Sequence, residues 1–170
     1  MFCIGAVEQA GRNLVSETEK DATVDSGEAS PNALPGSVLF VCAMNSIRSP
    51  MAEHLMKAAF GSKVFVDSAG IHAGNPDGFM VSVMAEKGID LSHYQPSTLD
   101  DMEDSYFDLI VTLAPEAHHR ALEWTRSQAV DVEYWPTMDP SSVAGSREQV
   151  LEAYRQTRDM IDRRIRNRFG

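Results

Sequence analysis

After residue 36, apolar positions follow two kinds of spacing along the chain, one typical of strands and one typical of helices. Short apolar or alternating runs predict four β-strands, at residues 38–41, 64–66, 108–113 and 130–134. Apolar residues at helical spacing predict the main helices at residues 50–60, 77–87, 115–127 and from 146 onward. Strands that alternate with helices predict an α/β fold of three layers, a parallel sheet with helices on both faces.

The first strand leads into a polar loop that has the composition of an anion site. Residues 42–48 form this loop, and Ser49 and Pro50 are suited to open the next helix as N-cap and first helical residue. Backbone amides of the loop and of the first helical turn lack backbone acceptors, so they favour a bound anion. The carboxyl end of a strand in such a sheet is also where ligands bind.

Two side chains of this loop add chemistry to the amides. Cys42 begins the loop, where unpaired N–H groups and a nearby cation would stabilise a thiolate. Arg48 can hold two phosphate oxygens side by side. A nucleophile, a cradle of amides and a guanidinium within one loop predict phosphoryl transfer.

The remaining loop residues are expected to bind the phosphate. They are Ala43, Met44, Asn45, Ser46, Ile47 and Ser49. Asn45 tolerates a positive φ angle, which a tight loop that turns its amides inward would need. Ser49 has two possible roles: its hydroxyl can donate to the Cys42 thiolate or cap the helix.

A cysteine, five residues, then Arg-Ser-Pro, directly after the first strand, resembles the low-molecular-weight protein tyrosine phosphatases. A Ser-Ala-Gly sequence at 68–70 is similar to that family as well. The resemblance implies a four-stranded sheet in the order 2-1-3-4 and covers about residues 37–168. It divides the chain into an extension at 1–36, expected to be disordered from its composition, and a phosphatase domain at 37–170.

The resemblance also implies a mechanism. Cys42 would attack a phosphomonoester and form a phosphocysteine intermediate, and Asp139, in an Asp-Pro pair late in the chain, would be the general acid. His93 matches a family histidine that supports the anion loop. We expect neither a cofactor nor a metal. If Asp139 is only a turn residue, Asp77 or His72 would be the acid.

Several positions depart from the family pattern and weaken the case for phosphotyrosine. Met44 stands where a glycine is usual, and Ile47 replaces a second cysteine. Ser141-Ser142 replaces an aromatic pair, and Ile71-His72 stands where a tryptophan is common. An apolar grip on the substrate would have to come from Tyr94, Trp135 or Met44.

Composition limits the class of protein. A chain of 170 residues suits one domain, and its net charge of −10 argues against a nucleic-acid partner. No stretch is long and apolar enough for a membrane span, and two cysteines suggest a reduced, cytoplasmic protein. We expect a monomer that acts on a phosphorylated protein or a small phosphomonoester.

Two other functions remain open on the sequence. An arsenate reductase shares the fold and the anion loop, but relays oxidation through further cysteines, of which only Cys3 is present. A non-catalytic phosphate-binding regulator would need neither a nucleophile nor an acid. The extension at 1–36 is either a docking arm or a tolerated tail.

Overall fold

The computed structural model describes residues 33–170, so the expected disorder of the extension concerns residues that lie almost wholly outside the described part. The strands are β1 (Ser37–Cys42), β2 (Phe65–Gly70), β3 (Leu109–Thr112) and β4 (Asp131–Tyr134). The long helices are α1 (Arg48–Phe60), α2 (Gly78–Ala85), α3 (Pro115–Trp124) and α4 (Arg147–Phe169). Short 3-10 helices lie at Gly61–Lys63, Leu99–Met102 and Pro140–Ser142.

All four strands form one parallel sheet in the order β2-β1-β3-β4. This confirms the predicted fold class and strand order. The first strand is central and pairs with β2 along its whole length, from Ser37 opposite Phe65 to Cys42 opposite Gly70. The carboxyl ends of β1 and β2 therefore lie side by side, where the anion loop begins.

Alternate residues of β1 enter two different hydrophobic cores. Val38 and Phe40 face the larger core, which packs against α1, α2 and α4. Leu39 and Val41 face the smaller core, where Trp124 at the end of α3 is buried. Burial on both faces explains why β1 is a continuous apolar run.

Most helix ends follow the predicted signals. Ser146 and Gln149 form a capping box at the start of α4, and Thr98 with Asp101 forms another at residues 99–102. Gly88 has the positive φ of 78° expected of a glycine that ends a helix. None of the helices within residues 33–170 is long and apolar enough to cross a membrane.

Two predicted boundaries are wrong near the anion loop. The second strand continues through residues 67–70, beyond the predicted strand at 64–66, and its Ser68, Ala69 and Gly70 are buried. The first helix begins at Arg48 rather than at Pro50, with Ile47 at the N-cap and no side-chain cap. Ser49 is therefore helical, and its hydroxyl is free for another role.

Candidate active site

The loop between β1 and α1 is held from one side by the segment after β2. The carbonyls of residues 42, 43 and 44 accept hydrogen bonds from the amides of Ile71, His72 and Gly74, at 3.1, 2.9 and 2.8 Å. Asn45, with a φ of 52°, is the one residue other than glycine with a positive φ within residues 33–170. The loop thus turns its carbonyls toward the 71–74 segment.

The amides of the same loop are left available. Among the hydrogen bonds of the described part of the chain, none has a backbone amide from residues 43–49 as its donor. Unpaired amides at the start of a helix favour an anion, because they carry partial positive charge. The backbone therefore has the arrangement of a phosphate cradle.

Gly70 allows the close approach of β2 to this loop. A Cβ atom at Gly70 would lie 2.6 Å from the Asn45 amide nitrogen, closer than real Cβ atoms come. At Gly74 an added Cβ would lie 3.1 Å from the Met44 Cβ. Gly70, the last residue of the Ser-Ala-Gly sequence, and Gly74 thus leave space for the anion loop that a side chain would fill.

The nucleophile candidate is buried and has one side-chain hydroxyl beside it. The Sγ atom of Cys42 lies 2.9 Å from the Ser49 Oγ. Asn45 donates its Nδ2–H to the same Oγ at 2.8 Å, so Ser49 accepts there and keeps its own proton to donate. Of its two possible acceptors, Cys42 Sγ is closer than the Ala69 carbonyl at 3.3 Å, so the Ser49 hydroxyl is placed to donate to Cys42 and does not cap the helix.

Asn45 is fixed by groups from three other segments. Its Nδ2 also donates to Ser68 Oγ at 3.1 Å, and its Oδ1 accepts from the Tyr94 hydroxyl and the Ser97 amide, each at 2.7 Å. Ser68 in turn donates to the buried carboxylate of Glu53 at 2.5 Å. This hydrogen-bond chain sets which end of the Asn45 amide faces Ser49.

The expectation that His93 supports the loop needs correction. His93 is exposed, whereas its neighbour Tyr94 makes the contacts with Asn45 and, at 2.8 Å, with Ser68. Burial raises the pKa of the Tyr94 phenol, so the group stays a neutral donor at physiological pH. A one-residue difference in an irregular segment decides which side chain points inward.

Arg48 is buried and oriented by main-chain acceptors of two later loops. One terminal nitrogen donates to the Thr137 carbonyl at 2.9 Å and lies 3.5 Å from the Leu113 carbonyl. The other terminal nitrogen lies 3.7 Å from Asp139 Oδ2. The guanidinium is therefore held at the edge of the cradle, next to the candidate acid.

Asp139 belongs to a tight turn that faces the cradle. Its Oδ1 accepts from the Ser141 amide at 2.9 Å and from the Ser141 hydroxyl at 2.7 Å. This leaves Oδ2 toward Arg48, with the side chain about two-fifths exposed. Ser141, which stands where the family has an aromatic ring, thus orients the carboxyl group instead.

These groups surround one open cavity of about 200 Å³. On the loop side it is lined by Cys42, Met44, Ser46, Ile47 and Arg48. The other lining residues are Gly74, Asn75, Asp77, Asp139 and Ser141. Within residues 33–170, no group of three or more His, Cys, Asp or Glu side chains is arranged to hold a metal ion.

The structure brings the predicted nucleophile, arginine and acid to the same cavity. Asn45 and Ser49 lie behind the loop, and Ala43 is half-buried beside it. Sequence reasoning missed the supporting roles of Glu53, Ser68 and Tyr94. Glu53 lies on an apolar helix face and Ser68 near the end of a strand. A polar residue in either position is a sequence signal that could have identified these two.

Comparison with known proteins agrees with this geometry. The family model of the low molecular weight phosphotyrosine protein phosphatases matches residues 37–169. An arsenate reductase of Halalkalibacterium halodurans is 36% identical over 129 residues, which are 76% of this chain and 91% of that protein.

Two solved structures extend the comparison. An arsenate reductase in a phosphate-binding state has a TM-score of 0.64 at 29% identity, covering 77% of this chain and 94% of the other. The arginine phosphatase YwlE, in a variant with a phosphorylated active-site serine, has a TM-score of 0.62 at 25% identity, covering 76% and 91%. With its anion loop, fold and family match in agreement, the chain belongs to the low molecular weight phosphotyrosine protein phosphatase family.

Proposed function

We propose that the protein is a cysteine-dependent phosphatase that acts through a phosphocysteine intermediate. The observation that carries the proposal is that a thiol, an arginine and a carboxyl group line one cavity, beside a loop with unpaired amides. Hydrolysis of a phosphomonoester needs these groups and no others, whereas simple phosphate binding needs neither the thiol nor the acid.

In the first step the Cys42 thiolate attacks phosphorus and forms the S–P bond. The bond from phosphorus to the leaving atom breaks, its electron pair stays on that atom, and Asp139 supplies a proton. Arg48 and the loop amides stabilise the charge on the phosphoryl oxygens. Ser49, through its hydroxyl, stabilises the thiolate before attack and after release.

In the second step water attacks the phosphocysteine. Asp139, now a carboxylate, takes a proton from the water as the S–P bond breaks. Phosphate leaves, and Cys42 returns to the thiolate. The cycle consumes one water for each ester and needs no electron donor.

A paired substitution tests this proposal. Cys42→Ser should abolish phosphate release from p-nitrophenyl phosphate, while Cys3→Ser, the matched control, should leave it unchanged. Phosphate should still bind to the Cys42→Ser protein, because the amides and Arg48 remain. A Cys42→Ser protein that turns over at the wild-type rate would refute the nucleophile, and a wild-type protein that binds phosphate without turnover would indicate a regulator.

Arsenate reduction is the second candidate, favoured by the arsenate reductase of 36% identity. Arsenate is a tetrahedral anion that would bind the same cradle. Its reduction takes two electrons, however, and the chain has only Cys3 besides Cys42 to supply a thiol. Arsenite formation in the presence of dithiothreitol, thioredoxin or glutaredoxin, compared in the wild type and Cys3→Ser, distinguishes the two activities.

The cellular setting follows from the proposed chemistry. Because the nucleophile must stay a thiol, we place the protein in a reducing compartment such as the cytoplasm. We propose that it acts as a monomer. Its substrate would be a phosphorylated protein or a small phosphorylated molecule.

A further inference from the structure

Two carboxyl groups line the cavity in addition to the anion loop. Asp77 and Asp139 both line it, together with the polar side chains of Asn75 and Ser141. Arg48 is the one lysine or arginine among the lining residues, and it belongs to the loop side, where the phosphoryl group would bind. The cavity thus combines Arg48, which would bind the phosphoryl group, with two carboxyl groups that can contact the group to which phosphate is attached.

Asp77 is held rigidly in this position. As N-cap of α2 it accepts the Met80 amide on Oδ1 at 2.9 Å, and its Oδ2 accepts the Tyr154 hydroxyl at 3.0 Å. Tyr154 comes from the buried face of α4. Each carboxylate oxygen keeps a lone pair for a further donor, so Asp77 can bind a cation without rearrangement.

The fields of the two carboxylates overlap at Tyr154. Burial raises the pKa of the Tyr154 phenol, and the charges of Asp77 and Asp139 raise it further. The phenol therefore stays neutral and donates to Asp77.

No aromatic ring lines this cavity among the described residues. Trp135 packs instead against Phe40 and Phe169, with ring centroids 6.0 and 6.2 Å apart, and Tyr94 lies behind the anion loop. Of the three side chains that could have gripped a ring, only Met44 lines the cavity and is exposed. A neutral aromatic leaving group thus finds few complementary contacts.

We propose that the preferred substrate carries a positive charge next to the phosphoryl group, with Asp77 as the residue that recognises it. The inference rests on the proposed phosphatase function. A guanidinium bonded to phosphorus through nitrogen, as in phosphoarginine, and an ammonium close to a phosphate ester share this chemistry. Both present N–H donors and a cation to an end of the cavity that offers carboxylates.

Bond changes for the nitrogen case balance without a further reactant. The Cys42 thiolate forms the S–P bond, the P–N bond breaks, and its electron pair stays on nitrogen. That nitrogen takes the proton of Asp139, so the product leaves as a guanidinium. The Asp77 carboxylate stabilises this cation throughout, because it does not give up or receive a proton.

The first experiment compares three substrates with the wild-type protein. Phosphoarginine has a cationic P–N leaving group, phosphoethanolamine a cationic ester, and p-nitrophenyl phosphate a neutral ring. Matched uncharged analogues are used to correct each kcat/KM for leaving-group reactivity. After this correction we expect the highest kcat/KM for one of the two cationic substrates. Comparison of phosphoarginine with phosphoethanolamine shows whether the P–N or the P–O bond is the one cleaved.

Variants assign the preference to Asp77. Asp77→Asn removes the charge and keeps a good N-cap residue. It should lower the kcat/KM ratio of the cationic substrate to p-nitrophenyl phosphate about ten-fold or more, as expected for loss of a charge-assisted hydrogen bond. Asp101→Asn removes the same charge from another capping aspartate, which does not line the cavity, and should leave the ratio unchanged.

A variant of the exposed Asn75 keeps the test decisive even if Asp77→Asn folds poorly. Asn75→Asp adds a third carboxylate to the same wall and should raise the ratio. An unchanged ratio in both cavity variants, or a wild-type preference for the neutral ring, would overturn the inference while leaving the phosphatase proposal intact. Absence of hydrolysis with every substrate would refute the phosphatase proposal itself.

Discussion

The side chain of Asn45 connects the nucleophile loop to three other parts of the chain. Its amide nitrogen reaches Ser49 and Ser68, and its oxygen accepts from Tyr94 and the Ser97 amide. Because Ser68 donates to Glu53, its oxygen accepts from the Asn45 Nδ2, which also donates to Ser49 beside Cys42. A buried carboxylate thus sets, through neutral groups, the donor that faces the thiolate.

Removing the Tyr94 hydroxyl should loosen this arrangement. Tyr94→Phe leaves Asn45 Oδ1 with the Ser97 amide alone, so we expect kcat to fall several-fold to about ten-fold, in line with one lost hydrogen bond of ~1 kcal/mol. His93→Ala, at the exposed neighbour, is the control and should change little. Steady-state kinetics and melting temperatures check both variants, and Tyr94→His, which restores a donor, should recover part of the loss.

Equal kcat values for Tyr94→Phe and the wild type would contradict the role of Tyr94. Equal losses for Tyr94→Phe and His93→Ala would instead indicate that this segment acts only through stability.

The assignment of Asp139 as general acid predicts a dependence on the leaving group. Asp139→Asn should slow cleavage most for poor leaving groups, by ~10²–10⁴-fold, and least for p-nitrophenolate, which needs the proton less. The measurement is the single-turnover rate against leaving-group pKa for both proteins. A steeper slope for Asp139→Asn supports the assignment. Parallel slopes would show that Asp139 is not the general acid and would leave Asp77 and His72 as the candidates.

Residues of the local motif were predictable, and residues brought in by tertiary contacts were not. Cys42 and Arg48 follow from a strand, a loop and a helix that are contiguous in sequence. Tyr94 was passed over in favour of His93, because nothing in the sequence of an irregular segment shows which of two neighbours points inward. Ser49 had two possible roles, and its place inside α1 decides between them.

At the scale of elements, β2 shows how function alters a strand pattern. Its second half, residues 68–70, is buried, and the polar side chains of Asp67 and Ser68 end the apolar run from which the strand was predicted. The polar side chains are there because β2 runs directly behind the anion loop, where Ser68 completes the hydrogen-bond chain. The strand is therefore longer than its apolar run predicts.

Asp67 predicts a measurable effect of pH on stability. Partial burial raises its pKa above the ordinary 3.8, with the nearby Glu53 charge as a further cause, so folding disfavours its ionised form. The resulting cost is present at neutral pH and disappears as the pH falls through the raised pKa. Asp67→Asn, which can still accept the Ser68 amide, should therefore melt higher than the wild type at pH 7.

This advantage of Asp67→Asn should shrink as the pH falls through the raised pKa of Asp67, because the wild-type carboxyl group then becomes protonated in the folded protein. Melting temperatures measured from pH 4 to 8 give the comparison. A difference that stays constant with pH would show that the charge of Asp67 is not its cause.

At the scale of the whole molecule, the parallel sheet and its order followed from alternating strands and helices together with the family resemblance. The boundary of the domain followed less well. Leu34 lies within the predicted extension, yet it is half-buried against the larger core, and the Gly36 carbonyl accepts the Phe65 amide at 2.9 Å. Residues 34–36, directly before β1, therefore belong to the folded unit.

Two truncations test this boundary. Removing residues 1–32 should leave the melting temperature and the activity toward p-nitrophenyl phosphate nearly unchanged. Removing residues 1–36 should cost about 1 kcal/mol of unfolding free energy, because the half-buried Leu34 side chain is lost. Urea unfolding of the two truncated proteins and the full chain measures the difference, and a large loss in the shorter truncation would show that residues 1–32 stabilise the domain.

The central claim, that phosphate is transferred to Cys42 beside Arg48 and Asp139, is tested most directly by trapping the intermediate. Asp139→Asn protein is mixed with p-nitrophenyl phosphate, quenched with acid within one turnover, digested and examined by mass spectrometry. The account predicts one added phosphoryl group on the peptide that contains Cys42, and none when Cys42→Ser is combined with Asp139→Asn. Rapid release of p-nitrophenolate without a phosphorylated Cys42 peptide, or with the phosphoryl group on another residue, would contradict it.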